Sequence, residues 1–425
     1  VRAKEFQETG TIAEHSMDEI EDRNVGRRVR DVGCVAKAHD DRIDPDIDLL
    51  CPLAIRGVTL RNRIAVSPMC QYLARDGYAD DWHLVHLGSR AVGGAGLVFT
   101  EATAVTPEGR ITPGDLGLWD DKHIEPLARI ARFLTRMGAV AGIQLAHAGR
   151  KGSCLRPWEG GARLTEREGG WPVVAPSPLP FAEGEPPPLP LDEIGIQKLI
   201  AAFAAAARRA VHAGFHLVEI HAAHGYLLHE FLSPLSNQRT DRYGGSRENR
   251  MRLVLEVAET LRRDLPADMP LFVRISATDW VEGGWDLDQS IVLARELQAR
   301  GADLIDTSSG ALVPRASIPV GRNFQVPFAA AIRAQTDILT GAVGVITEAE
   351  QADQIITSGA ADLVLLAREM LREPYWALKA QQLLGEEPDW PLAYGYAVRR
   401  PRKEPLRNTA HGPASRHVPP GIERR

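Results

Sequence analysis

Two histidines three residues apart and a tyrosine two residues later, His221-Ala-Ala-His224-Gly-Tyr226, are the most chemically suggestive group in this 425-residue chain. They follow the apolar run His216–Ile220, where a strand would give way to a loop. Two imidazole N–H groups so placed can bind a carbonyl oxygen, and a tyrosine beside them can hand over a proton. Removing one such donor typically costs on the order of 3–4 kcal/mol of transition-state stabilisation. Two blander readings stand beside this one: loop histidines with a packing tyrosine, and a zinc site without a third ligand at helpful spacing. Cys70, Tyr72, Ala102, Gln144, Arg274, Ser308 and Arg368 also fall at the ends of apolar runs. The set contains no acidic pair placed for hydrolysis and no Ser-His-Asp arrangement. It suits a planar heterocycle with a phosphate tail, because Gln144 offers a donor and an acceptor and Arg274 a fixed cation. Gly341-Ala-Val-Gly344 and Ala367-Arg368 would take the phosphate, with backbone N–H groups and a guanidinium. Cys70 also admits a plain packing role.

These residues need a frame. Eight apolar runs recur along the chain: Arg63–Met69, Gly96–Ala102, Val140–Ala146, His216–His221, Leu271–Ser276, Ala302–Thr307, Ile338–Gly341 and Ala361–Ala367. They are continuous rather than alternating, as parallel strands covered on both faces are. Between them, Ile194–Ala213, Arg247–Asp264 and Asp288–Arg300 repeat apolar residues at helical spacing. Gly138, Gly214, Gly301 and Gly359 stand where left-handed C-caps would turn helices back into strands. Eight strand–helix units predict a TIM (β/α)₈ barrel in preference to a doubly wound sheet, with the chemistry at the strands' C-terminal ends. The stretch Arg150–Pro190, loaded with Gly, Pro and Trp, predicts a long excursion after the third strand, read as a lid or wall over the barrel mouth with a plain surface excursion as the alternative. Trp82, Trp119 and Trp280 are expected to be packing residues.

Composition narrows the class. A net charge of −6 argues against a nucleic-acid surface, and no apolar run is long enough to span a bilayer. Cys34, Cys51, Cys70 and Cys154 are scattered, which supports no metal cluster and fits a reducing, cytoplasmic setting. Residues 1–48 are dense in charge and predict a disordered or weakly helical extension. The barrel is expected over 49–400, and a disordered tail over 401–425.

From about Leu49 to Leu384 the chain resembles the old yellow enzyme family, in the bacterial branch of YqjM-like and xenobiotic-reductase enzymes. The motifs are Ser67-Pro-Met-Cys-Gln-Tyr72, Gly142-Ile-Gln-Leu-Ala-His-Ala-Gly-Arg-Lys151, the His221–Tyr226 cluster, the run His229–Gly245 and Glu248-Asn-Arg250. The resemblance implies non-covalent FMN, and NADPH rather than NADH as hydride donor. Ser67, Pro68, Met69, Cys70, Ala102, Gln144 and Arg274 would surround the flavin ring, and Ser308, Gly344, Ala367 and Arg368 would hold the phosphate end. His221 and His224 would bind the substrate carbonyl, Tyr226 would supply the proton, Tyr72 would touch substrate and Cys70 would tune the flavin. The implied activity is that of an NAD(P)H-dependent FMN oxidoreductase, an ene-reductase that reduces α,β-unsaturated carbonyl compounds, or nitro compounds, by ping-pong hydride transfer. A homo-oligomer, dimer or tetramer, is implied as well, with no metal, membrane or nucleic-acid partner.

Two departures from the family pattern stand out. Tyr396 occupies the place where relatives carry an arginine that reaches into a neighbouring subunit, and Val320 stands where a tryptophan can enter the pocket. The rival readings are a catalytically silent flavin-binding protein and a dienoyl-CoA-reductase-like barrel. The second needs a cysteine cluster and a further nucleotide domain.

Overall fold

A computed structural model describes residues 47–398. The extension expected over 1–48, apart from its last two residues, and the tail over 401–425 lie outside the described residues. Eight parallel strands close into a barrel: β1 (Ile64–Val66), β2 (Leu97–Ala104), β3 (Val140–Ala146), β4 (Leu217–Ala222), β5 (Leu271–Ser276), β6 (Leu304–Ser308), β7 (Leu339–Ala342) and β8 (Leu363–Leu366). Each pairs with its sequence neighbours, and β8 closes on β1 through Leu365 opposite Ala65. Every one of the eight predicted runs became a barrel strand, shifted by a few residues at its ends.

Eight main helices follow the strands: α1 (Asp81–Val92), α2 (Ile124–Arg136), α3 (Glu193–His212), α4 (Arg247–Asp264), α5 (Leu287–Ala299), α6 (Val326–Gln335), α7 (Ala349–Thr357) and α8 (Trp376–Leu383). Local chemistry sets their starts. The Asp192, Ser246 and Asp286 side chains accept the N–H of Gly195, Asn249 and Gln289, satisfying donors that a helix leaves unpaired at its first turn. The four predicted cap glycines, Gly138, Gly214, Gly301 and Gly359, have φ of +80°, +81°, +85° and +69°.

Two apolar layers result. The outer one packs helix faces against the strands. The inner one fills the lower barrel with Ala65, Leu97, Phe99, Leu217, Phe272, Leu304, Leu363 and Leu365. A hairpin, Leu53–Ile55 paired antiparallel with Val58–Leu60, plugs that end with Leu53, Ile55 and Leu60. Among the described residues, side chains seal the barrel's N-terminal end, which leaves the strand C-termini as its mouth.

The excursion after β3 holds three short 3₁₀ turns and a two-residue parallel ladder, Val174–Ala175 with Leu189–Pro190. It reaches the mouth through Arg156, whose Nε donates to the Tyr72 carbonyl at 2.8 Å, and through Trp158, edge-on to the Tyr72 ring. One packing expectation fails. Trp82 is 49 % exposed and spends its indole N–H on Gln71 Oε1 at 3.2 Å, so it lies on the surface of α1 rather than in the core. Among the described residues no helix is long and apolar enough to cross a membrane.

Candidate active site at the barrel mouth

β4 delivers His221, and the chain then makes a tight turn. His224 and Gly225 both adopt left-handed backbone, φ 58° and 71°. Glycine is required at 225, because a Cβ there would lie 2.3 Å from the Ala311 carbonyl oxygen. Three bonds hold the strained turn. The His224 N–H donates to Ser276 Oγ at 2.9 Å, the Gly225 N–H to His229 Nδ1 at 2.8 Å, and Lys151 Nζ to the His224 carbonyl at 2.8 Å. Because His229 Nδ1 accepts, its Nε2 carries the hydrogen, which faces Asp279 Oδ1 at 2.9 Å in a fully buried pair.

The turn gathers three rings. His221 lies 5.1 Å from His224 and 5.2 Å from Tyr226 between ring centroids, edge-on to both. Burial, followed by the Arg274 charge, holds both imidazoles well below the usual histidine range, so each is neutral with one N–H. His221 Nδ1 is buried without a hydrogen-bond partner, and His224 Nε2 sits 2.7 Å from Ser308 Oγ. Burial likewise pushes the Tyr226 phenol well up, which keeps its proton in place at neutral pH. The Lys151 ammonium lies 5.0 Å from the Tyr226 ring centroid, and burial brings its pKa down to about 8.

The segment after β1 forms another wall. Ser67 is buried, while Pro68, Met69, Cys70 and Tyr72 are half-buried along the mouth. The Cys70 thiol is pushed well up by burial and by the Asp115 and Glu101 charges, and it hydrogen-bonds with the Tyr72 side chain. It is therefore a neutral thiol rather than a thiolate. Tyr72 has φ 59°, and Gly114 packs against its carbonyl so closely that a Cβ would come within 2.2 Å. A bulge in β2 between Phe99 and Ala102 frees Glu101 to accept the Gln71 N–H at 3.0 Å, and sets Ala102 opposite Gln144. Ala102, Ala146, Asp115 and Tyr226 enclose a small cavity between these walls.

The far side carries the predicted phosphate end. Gly344 has φ 119°, and a Cβ there would meet Gln325 at 3.1 Å. Gln325 accepts Ser309 Oγ at 2.6 Å, and Gln351 Nε2 donates to the Val345 carbonyl at 2.9 Å, which fixes the loop. Ala367 is half-buried and Arg368 exposed, at the start of the short helix Arg368–Arg372. Ser308 stands between His224 and Gln325, so it links the histidine cluster to this end. Val320 is 64 % exposed on the loop before α6, and Tyr396 is 76 % exposed.

Below the ring, Gln144 Nε2 donates to Glu219 Oε1 at 2.8 Å, and an Arg274 terminal nitrogen donates to Ser67 Oγ at 2.9 Å. Glu219, Asp306, Lys151, Gln325, Asp279 and His229 were all missed from sequence. Period-two counting would have found the first two: Glu219 is two residues before His221 on β4, and Asp306 two before Ser308 on β6. Lys151 and His229 lie inside the quoted motifs but were given no role there, and Gln325 and Asp279 come from distant segments that leave no local signal. Among the described residues, no three His, Cys, Asp or Glu side chains are arranged to hold a metal ion.

A flat heterocycle with a phosphate tail fits this mouth. The unpartnered His221 Nδ1, the buried Gln144 and Arg274, and the cradle at Gly344 that a Cβ would fill are what such a group needs. Fold and site together define a barrel oxidoreductase of the flavin-using kind. Residues 48–387 match the NADH:flavin oxidoreductase / NADH oxidase family, and the chain belongs to it, as a member of the old yellow enzyme family. A "NADPH dehydrogenase" of Geobacillus thermodenitrificans is 47 % identical over 348 residues, covering 81 % of this chain and 97 % of that one. Morphinone reductase superposes with a TM-score of 0.67 at 27 % identity, over 80 % of this chain and 90 % of that one. A 2-naphthoyl-CoA reductase superposes with a TM-score of 0.72 at 24 % identity. That likeness shows the fold alone, and the chain spans 52 % of its length.

Proposed function

We propose that this protein is an FMN-dependent ene-reductase, taking hydride from NADPH and reducing the C=C bond of α,β-unsaturated carbonyl compounds in a ping-pong cycle. The observation that carries the reading is the ring cluster of His221, His224 and Tyr226, with neutral imidazoles and a protonated phenol at one mouth. Bound FMN supplies the two-electron relay between nucleotide and substrate, which no side chain can perform.

The protein's groups do the rest. Ser67, Gln144 and Arg274 would hold the polar edge of the heterocycle, while Pro68, Met69, Cys70 and Ala102 would line it. Ser308, Gly344, Ala367 and Arg368 would hold its phosphate end. The imidazoles donate N–H bonds to the substrate's carbonyl oxygen and draw electron density from its β-carbon. For His224 this means exchanging its Ser308 contact for the substrate or presenting its other ring nitrogen. Tyr226 keeps its proton and gives it to the α-carbon. Tyr72, clamped by Arg156, bounds the substrate's far side and helps keep water out. The preference for NADPH rests on the similarity to bacterial NADPH dehydrogenases.

An anaerobic absorbance titration tests this, with NADPH added to the purified, FMN-loaded protein and 2-cyclohexenone added afterwards. Yellow absorbance that bleaches and then returns with the enone is the expected result. A protein that cannot be loaded with FMN overturns the proposal. Bleaching without recovery removes the enone and favours a protein that binds flavin but passes its electrons elsewhere or nowhere.

A further inference from the structure

The barrel's inner face carries one more polar layer, a level below the site. Strand register places Gln144 opposite Glu219 on β3 and β4, and Arg274 opposite Asp306 on β5 and β6. All four are buried, Glu219 and Asp306 completely. Glu219 Oε1 takes the Gln144 amide at 2.8 Å, and Asp306 Oδ2 lies 3.2 Å from Arg274 Nε. Glu219 Oε2 and both Asp306 oxygens lack a hydrogen-bond donor. Yet the two carboxyls lie within hydrogen-bonding reach of each other.

Two ionised carboxylates cannot satisfy one another, because each only accepts. One proton between them would supply the missing donor. The charge count agrees. Arg274 is the cation that faces the pair, and Gln144 and Ser67 are neutral. Gly341 stands opposite Asp306 on β7 and brings no side chain, apolar Leu365 of β8 packs against it, and His221, above, is neutral. Two carboxylates against one guanidinium would leave an uncompensated negative charge in a dry interior, among the costliest things a fold can bury.

We infer that Glu219 and Asp306 share one proton, and that this pair holds Gln144 and Arg274 in position and fixes the net charge beneath the cofactor site at zero. Only the second clause rests on the proposed flavin site; the shared proton belongs to the protein alone. Burial, then the Asp306 charge, pushes Glu219 well up, and burial raises Asp306 against the lowering effect of Arg274. Arg274 stands against Asp306 Oδ2 and favours the ionised form there, which leaves Glu219 to donate the shared proton to the Asp306 carboxylate. The two groups titrate as one unit. Both are positioning residues.

The inference makes an unusual prediction about substitutions. Glu219→Gln leaves Asp306 to balance Arg274, and Asp306→Asn leaves Glu219 to do so. Each replaces the shared proton by an amide donor and keeps the sum at zero. The double variant leaves Arg274 uncompensated.

Infrared difference spectra of the full-length apoprotein at about pH 7, unsubstituted minus each single variant, test the proton directly, because acids common to both, Glu230 (pushed up to about 8) among them, cancel. A protonated carboxylic-acid band is expected in the unsubstituted protein and should vanish in each single variant. Its absence, or its survival in either single variant, overturns the shared proton. With FMN bound, each single variant should keep the starting midpoint potential, and the double variant should shift it to more positive values. A single variant that shifts it as far as the double overturns the charge-balancing role. A chain that takes up no FMN fails the proposed function, while the infrared result still decides the pair.

Discussion

The proposed role of Tyr226 depends on what surrounds its hydroxyl. Burial raises its pKa, so at neutral pH it is a phenol rather than a phenolate, as a proton donor must be. Tyr226→Phe should slow enone-driven reoxidation of the bound flavin by roughly 10²–10⁴ while leaving reduction by NADPH unchanged. Stopped-flow measurement of the two half-reactions checks this, and equal slowing of both would remove the proton-donor role. His224 has a different duty. Its truncation to alanine removes an N–H donor and should cost about 3 kcal/mol of transition-state stabilisation, or roughly a hundredfold in kcat/KM for the enone. Loss of the long-wavelength absorbance that phenol ligands produce when stacked on a flavin would accompany it. Retained phenol binding would take His224 away from the oxygen site.

At the scale of elements, the turn after β4 matters more than the strand that feeds it. The left-handed His224 costs backbone strain, which Ser276 and Lys151 offset from distant segments and His229 from the helix that follows the turn. Gly225→Ala would drive a Cβ to within 2.3 Å of the Ala311 carbonyl oxygen while φ stays at 71°. A stability loss of about 1–3 kcal/mol is expected, with the His224–Tyr226 geometry spoiled and the phosphate end untouched. Denaturant unfolding together with flavin retention checks this: enone turnover should fall far more than bound flavin. Parallel loss of both would show that the turn supports the whole barrel rather than one side of the mouth.

For the molecule as a whole, pH acts through charges the barrel has taken out of water. Glu230, on the short helix Leu227–Leu232, accepts the Arg150 N–H at 2.9 Å with one oxygen and has no partner for the other. Burial, partly countered by Arg150, raises its pKa to about 8. A carboxyl raised on folding is protonated in the folded chain at pH values where the unfolded chain has released the proton. Its contribution is complete below about pH 4.5 and is lost as pH rises through about 8. Glu230→Gln keeps the neutral form at every pH. Its stability relative to the unsubstituted protein should therefore climb between about pH 5 and pH 9, by on the order of 3 kcal/mol. Urea unfolding at the two pH values checks the sign, and a flat difference would mean that Glu230 is ionised throughout.

Local pattern carried a great deal of this protein. Eight continuous apolar runs, helical spacing between them and a glycine ahead of several strands specify the barrel, because burial on both faces and left-handed caps are demands that neighbouring residues meet. The histidine–tyrosine cluster was legible for the same reason, since it spans six residues of one strand end. The bland reading as a packing loop was legible there too; gathered rings, neutral imidazoles and an unpartnered nitrogen are what favour the functional one. Tertiary structure decided the rest. Arg274 meets Ser67 across 207 positions, and Lys151 meets Ala311 across 160. Barrel closure creates such contacts by turning strand ends from opposite sides of the ring toward one mouth, and no local period encodes them. The Glu219–Asp306 layer lies between these limits. Strand alternation points both side chains inward, but only the closed barrel brings them together around one guanidinium and makes a proton necessary there.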